Sequence, residues 1–93
     1  MSQPVSTRQL PARCLVVWPQ GWTWVLELRV KQQVQGQVWC KTFDELARRI
    51  QAAELAHLMR RLEPPPTYLL DGATQTCRPL SYDEALAYSK QAT

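Results

Sequence analysis

The chain has 93 residues, of which 45% are hydrophobic and 20% are charged, and its formal net charge is +3. This length is typical of one domain, and this composition is that of a globular protein, which excludes wholesale disorder. No run approaches the roughly 18–20 apolar residues of a membrane-spanning helix, and the N-terminus lacks the apolar core of a secretory signal. The net charge is too small to indicate nucleic-acid binding by itself.

Three cysteines occur, Cys14, Cys40 and Cys77, and no two of them form a C-x-x-C pair. An odd count without an export signal predicts free thiols and a cytoplasmic location. His57 is the only histidine, so the residue types that zinc sites and Cys–His catalysis need are scarce. The three glycines are too dispersed for a phosphate-binding loop. We therefore expect no metal, no cofactor and no enzymatic activity.

The first part of the chain predicts three antiparallel strands in a meander. The clearest strand is W-T-W-V-L-E-L-R-V-K, in which Trp22, Trp24 and Leu26 recur at every second position. This period of two indicates one buried face, so we expect Trp22 and Trp24 in the core. Pro19 and Gly21 suit the second and fourth positions of a β-turn. The predicted elements are a flexible N-terminal arm over residues 1–12, strands over 13–18, 22–31 and 37–40, a turn at 18–21 and a loop over 32–36.

The same short sequence pattern occurs at two predicted helix starts. Thr42-Phe43-Asp44-Glu45 and Ser81-Tyr82-Asp83-Glu84 both fit the capping box. In this motif the hydroxyl accepts from the N–H of the glutamate, and the carboxylate accepts from the N–H of the hydroxyl residue. Pro64-Pro65-Pro66 cannot continue a helix, and an Asp-Gly pair between short apolar runs indicates a hairpin with a two-residue loop. The predicted elements are a helix over 43–62, a hairpin around Asp71-Gly72 and a C-terminal helix from residue 82.

These elements predict a single α+β domain over residues 13–93. A small antiparallel sheet, made of the three-strand meander plus the short C-terminal hairpin, packs against a long or broken helix and a short C-terminal helix. The repeated phrase also suggests duplication of a hairpin–helix unit, over residues 30–62 and 67–92. Capping boxes and hairpins are each common, so independent use of the same helix-start chemistry is the alternative explanation.

The first helix carries two apolar stripes at helical spacing. At 100° per residue, the second stripe is rotated by about a third of a turn from the first, so one helix cannot turn both onto the same flat sheet. Either the helix breaks near residues 52–54, or the second hairpin covers the second stripe, or a partner covers it, most simply a second copy of the chain. The first stripe contains Phe43, Leu46, Ala47, Ile50 and Ala53, and the second contains Leu55, Leu58, Met59 and Leu62.

Aromatic and basic residues support an alternative hypothesis, nucleic-acid binding. A sheet face of tryptophans could stack bases. Trp18 or Trp39 is the candidate for an exposed ring, which would act as an interface anchor. Basic side chains beside it could contact phosphates. Acidic residues interleave with the arginines, which favours an ordinary solvated helix face instead. The candidate nucleic-acid contacts are Arg29, Lys31, Lys41, Arg48 and Arg49.

The favoured hypothesis is a small non-catalytic protein-interaction module, such as an inhibitor, adaptor or regulatory subunit. It would act through an exposed surface of the first helix and the second hairpin. The expected partner is another protein, with a second copy of the chain as one candidate, and no membrane partner is expected. Small size alone would also suit a mobile-element protein. The candidate interface residues are Leu55, Leu58, Met59, Leu62, Arg60, Arg61 and Tyr68.

Overall fold

The computed structural model of this chain describes residues 5–80, 83, 84 and 87. These residues form an α+β globule in which a six-stranded mixed sheet carries one α-helix. The strands are β1 (Val5–Ser6), β2 (Arg13–Gln20), β3 (Thr23–Val30), β4 (Gln33–Cys40), β5 (Thr67–Asp71) and β6 (Thr76–Pro79), and the helix is α1 (Phe43–Met59).

The strand order is β1-β6-β5-β2-β3-β4, so the meander and the second hairpin belong to one sheet. β2 joins them, because it pairs with β3 in antiparallel and with β5 in parallel orientation. The prediction of a purely antiparallel sheet is therefore wrong. The physical reason is the crossover through α1, which carries the chain from the end of β4 back to the opposite end of the sheet. β5 consequently runs in the same direction as β2 and β4.

The turn between β2 and β3 lies further along the chain than predicted. β2 continues through Pro19 to Gln20, and the turn consists of Gly21 and Trp22. Gly21 has a φ of +60°, a conformation that glycine adopts at little cost. A tight two-residue turn of this kind matches the twist of the flanking strands.

The loop predicted over residues 32–36 is largely strand. Lys31 and Gln32 alone form the turn, with φ values of 52° and 67°, and β4 begins at Gln33. Two positive φ values in succession are typical of a type I′ hairpin, which usually carries asparagine and glycine. Because this turn lacks that signal, the sequence pattern could not place it.

The second hairpin is confirmed, but its loop is longer than the predicted two residues. β5 and β6 pair from Tyr68 opposite Pro79 to Asp71 opposite Thr76, which leaves residues 72–75 as the loop. The Asp71 carboxylate accepts the N–H of Ala73 at 3.0 Å, and this bond closes a local turn directly after β5. The Asp-Gly pair therefore marks the start of the loop.

Part of the predicted flexible arm is built into the sheet. Val5–Ser6 pairs with β6, and Leu10 is buried. Leu10 packs with Cys14, Val16 and Cys77 in an apolar cluster on the sheet face opposite α1. That face of β2 is itself apolar, so covering it with the N-terminal segment removes apolar surface from water.

The first half of α1 covers the other sheet face and forms the main core. The helix is continuous over residues 52–54, so the predicted alternative of a break there is wrong. The Phe43 ring meets Trp24 edge-on, with ring centroids 4.5 Å apart. Burial of the first apolar stripe against three strands is the main source of helix stability. The buried members of this core are Leu15, Val17, Leu26, Cys40, Phe43, Leu46, Ala47, Ile50 and Leu80.

The capping box at Thr42 is confirmed in one half and changed in the other. The N–H of Glu45 donates to the Thr42 hydroxyl at 3.1 Å, as predicted. The Glu45 carboxylate accepts from the N–H of Lys41 at 3.0 Å, where the motif predicts the N–H of Thr42. The first bond satisfies an N–H group that has no partner within the first turn of the helix. The second bond fixes the direction in which the chain enters the helix.

The second capping box and the predicted C-terminal helix lie almost wholly outside the described residues. Asp83, Glu84 and Ala87 are described, and each is helical. The duplication over residues 30–62 and 67–92 therefore stays a prediction.

Candidate functional site

The second half of α1 exposes the second apolar stripe. Leu58 is 59% exposed and Met59 is 85% exposed, while Leu55 and Leu62 are also more than half exposed. The positions of Leu55, Leu58 and Met59 on the helix turn them about a third of a turn from the sheet-facing side, as the spacing predicts, and Leu62 lies in the cap that follows the helix. No described element covers these side chains. We call Leu55, Leu58, Met59 and Leu62, with the adjacent Arg60 and Arg61, the helix surface.

The end of α1 gives the helix surface a defined shape. Arg61 has a φ of 58° and donates its N–H to the Leu58 carbonyl at 3.0 Å, and Leu62 donates to the His57 carbonyl at 2.9 Å. These two bonds make a Schellman motif, in which Arg61 occupies the left-handed position that glycine usually fills. The helix therefore ends at Met59, before the predicted Leu62, and its stop is this hydrogen-bonded cap ahead of the three prolines.

Arg60 and Arg61 form a positive border beside the apolar side chains. Both are exposed, and neither forms an ion pair with a described residue. His57 is half-buried, and its Nδ1 lies 2.8 Å from the Ala53 carbonyl oxygen, so the helix itself satisfies this ring nitrogen. An apolar strip bordered by two guanidinium groups is complementary to a protein surface that is apolar at its centre and acidic at its rim.

Tyr68 was predicted to join this surface, but the structure places it elsewhere. It lies against the cluster of Cys14 and Val16, on the sheet face opposite α1. Its neighbour Leu69 packs on the α1 side, and successive side chains of a strand point to opposite faces. Of the predicted interface residues, the helix surface therefore contains those at the end of α1 and does not contain Tyr68.

The arginines in the first half of α1 are paired with acids one turn earlier. Arg48 lies 3.1 Å from the Asp44 carboxylate, and Arg49 lies 3.7 Å from the Glu45 carboxylate. Exposed pairs of this kind contribute little to stability. They do reduce the positive field that a phosphate group would meet at this face.

Arg29 belongs to the sheet, where it contacts the buried Glu27. The Arg29 guanidinium lies 2.9 Å from one Glu27 carboxylate oxygen, and the Gln37 side-chain amide donates to the other. An unpaired buried carboxylate is costly, so the role of Arg29 is explained by its pairing with Glu27, without a phosphate contact. Lys31 and Lys41 are exposed just before and just after β4, at opposite ends of that strand. The structure does not bring the predicted nucleic-acid contacts together on one surface.

The four tryptophans divide between the core and the surface. Trp24 packs beneath α1, as predicted. Trp22 is 96% exposed, so its predicted core position is wrong, because the turn at Gly21 and Trp22 precedes the first residue of β3. Trp18 and Trp39 lie on either side of the buried Val25 on the face opposite α1, and Trp39 is 54% exposed.

A cleft of about 520 Å³ opens where β2 and β5 separate. Their parallel pairing ends at Val17 and Leu69. Leu15 donates its N–H to the Pro66 carbonyl, so the backbone groups of every second residue of β2 point toward β5. After Leu15 and Val17, the next such residue is Pro19, which has no N–H to donate. The ladder stops there and the two hairpins diverge. Residues that line the cleft include Trp18, Trp24, Leu70, Asp71 and Arg78. The sequence pattern does not predict this cleft, because the cleft depends on the pairing of β2 with β5.

The three thiols are buried away from the helix surface. Cys40 lies beneath α1, and Cys14 and Cys77 lie in the cluster on the opposite face. Burial raises the pKa of all three thiols, and the Glu45 carboxylate adds to this for Cys40. A protonated thiol is a poor nucleophile and a poor metal ligand. Within residues 5–80, 83, 84 and 87, no group of three or more His, Cys, Asp or Glu could hold a metal ion.

Across the part of the chain that the structure describes, no helix is long and apolar enough to cross a lipid bilayer. Comparison with protein-family models, with curated proteins and with solved structures found no match. Function is therefore inferred from the surfaces of the chain itself.

Proposed function

We propose that this protein is a protein-interaction module whose binding surface is the helix surface. The supporting observation is the second half of α1, where Leu55, Leu58 and Met59 are more than half exposed on a continuous helix, and Leu62 is more than half exposed in the cap that follows. Contiguous exposed apolar side chains typically mark a binding site, because their contact with water is unfavourable. The helix is already formed, so binding does not require a flexible segment to become ordered.

The partner is another protein that presents an apolar ridge next to carboxylates. Leu58 and Met59 would pack against the apolar ridge of the partner, and the flexible Met59 side chain can adapt to an irregular surface. Arg60 and Arg61 would pair with the carboxylates, since guanidinium groups bind them through paired hydrogen bonds. Such charge pairing makes association faster at low salt. An inhibitor, adaptor or regulatory subunit works through this kind of contact without reaction chemistry of its own.

The test compares the wild type with Leu58→Glu, Met59→Glu and the control Trp22→Glu. Trp22 is also an exposed apolar residue, but it lies at the end of the sheet where α1 begins. Proteins from a host extract that bind the wild type and Trp22→Glu, but not Leu58→Glu, are purified and titrated against all four chains by calorimetry. We expect Leu58→Glu to weaken the Kd at least about ten-fold and Trp22→Glu to leave it unchanged.

The outcome that contradicts the proposal is equally specific. If Leu58→Glu and Met59→Glu retain the same set of proteins as the wild type, the helix surface does not bind them. A purified partner that binds Leu58→Glu as tightly as the wild type has the same meaning.

A further inference from the structure

The sheet has two edges of very different length. β1, at one edge, has two residues, whereas β4, at the other, has eight. β4 pairs with β3 on one side, and no described strand pairs with its other side. An unpaired edge strand presents a row of N–H and C=O groups to which a further strand can bind.

The pairing register identifies the backbone groups of β4 that point outward. The two-residue turn after β2 makes its flanking residues a hydrogen-bonded pair, so odd-numbered residues of β3 bond to β2 and even-numbered residues bond to β4. Leu26 pairs with Val38, so the N–H and C=O of Val38 point toward β3. Gln37 and Trp39 alternate with Val38 and direct their N–H and C=O groups away from the sheet.

The second part of β4, residues 36–40, lacks the usual features that keep an edge strand from pairing. Gln33–Cys40 contains no charged residue and no proline, the two kinds of residue that commonly block edge pairing. A bulge falls between the partners of Leu28 and Arg29, so it affects the first part of β4 and leaves residues 36–40 regular. An uncharged strand can pair with an identical strand without like-charge repulsion.

We infer that β4 pairs with β4 of a second copy of the chain, antiparallel about a two-fold axis. The axis passes between the Val38 residues of the two copies, which lie opposite each other. Gln37 of each copy then lies opposite Trp39 of the other. This register uses the regular part of the strand and both outward-pointing residues. The exposed indole of Trp39 then packs on the strand of the second copy. This pairing uses no residue of the helix surface.

The first experiment measures the mass of the full chain in solution by size exclusion with light scattering. We expect twice the chain mass of 10.7 kDa for the wild type. Trp39→Lys places a lysine on each strand of the interface and should give the monomer mass. Trp22→Lys makes the same change at another exposed tryptophan and should leave the dimer intact. Leu58→Glu should also leave it intact, which separates this interface from the helix surface.

Three results would overturn the inference. They are a wild type that is monomeric up to about 100 μM, a dimer that survives Trp39→Lys, and a dimer that Leu58→Glu dissociates.

A second experiment tests the register through engineered disulfides. Val38→Cys places two thiols across the axis at a Cα separation of about 4.5 Å, which lies within the range of a disulfide. Mild oxidation should therefore give a covalent dimer, whereas Val34→Cys, exposed on the same strand before the bulge, should not. Cross-linking of Val34→Cys without cross-linking of Val38→Cys would contradict this pairing.

Discussion

The two halves of α1 belong to one continuous helix but lie in different environments. Leu46 and Ile50 in the first half are fully buried on the sheet, whereas Leu58 and Met59 in the second half are mostly exposed. Composition does not explain the difference, because both halves carry apolar residues at helical spacing. The second stripe is rotated by about a third of a turn, so it cannot face the sheet that the first stripe covers. A change of phase along the helix thus separates residues that stabilise the fold from residues that are available for binding.

Matched leucine substitutions should show the largest contrast between the two halves. Leu46→Ala should lower the free energy of unfolding by about 2–5 kcal/mol, because it leaves a cavity in the core. Leu55→Ala makes the same chemical change at an exposed site and should lower it by less than about 0.5 kcal/mol. Urea denaturation followed by tryptophan fluorescence measures both values. Equal losses would mean that the two halves are buried alike.

Removal of the cap at the start of the first half should have the next largest effect. Thr42→Ala deletes the hydroxyl that accepts from the N–H of Glu45, which should cost about 0.5–2 kcal/mol. Thr42→Ser keeps a hydroxyl and should stay close to the wild type. Denaturant unfolding of the three chains distinguishes them, and a Thr42→Ala chain as stable as Thr42→Ser would show that the bond contributes nothing.

The buried thiol beneath the first half predicts a loss of stability in alkaline solution. Burial raises the pKa of Cys40, and likewise of Cys14 and Cys77, above the ordinary value of 9.0. The folded chain then holds these protons more tightly than the unfolded chain does. The resulting stabilisation is complete below about pH 9 and is lost as the pH rises through the folded-state pKa values.

Thermal unfolding between about pH 7 and pH 10.5 measures this loss for the wild type and for Cys40→Ala. The variant lacks one of the three buried thiols, so its stability should fall less steeply above about pH 9. An identical pH dependence for both chains would contradict the assignment to Cys40.

A substitution at the end of the second half of α1 should change the free energy of unfolding least. It should stabilise the fold slightly and weaken binding. Arg61→Gly relieves the left-handed conformation, which costs an L-residue roughly 1–2 kcal/mol, but glycine makes the unfolded chain more flexible by about 0.4–1 kcal/mol. We expect a net gain of between about 0 and 1.6 kcal/mol in the free energy of unfolding measured in urea. The same variant loses one cation of the helix surface, so a partner should bind it more weakly. A chain destabilised by Arg61→Gly would argue against the Schellman cap.

Local chemistry predicted the start of α1 and the rotated stripe. The Thr42 cap depends on residues within four positions of one another, and the phase of Leu55, Leu58 and Met59 follows from helix geometry alone. The exposure of this stripe was one of three alternatives, because a sequence does not show which element covers a given face.

Features that depend on distant pairing could not be predicted. Nothing near Thr67 indicates that β5 will lie parallel to β2, so the mixed sheet and the cleft beside Pro19 were missed. The alternating pattern of β3 suggested that Trp22 is buried, yet the turn places it in solvent. Arg29 looked like a phosphate contact because the sequence does not show that it pairs with a buried carboxylate, that of Glu27.

The free energy of unfolding of Leu58→Glu tests most directly that the helix surface is uncovered in the unbound chain. The value should lie within about 0.5 kcal/mol of the wild type, because the new carboxylate stays in water. A loss of about 2 kcal/mol or more would mean that Leu58 is covered within the folded chain, and the helix surface would then not be available to a partner.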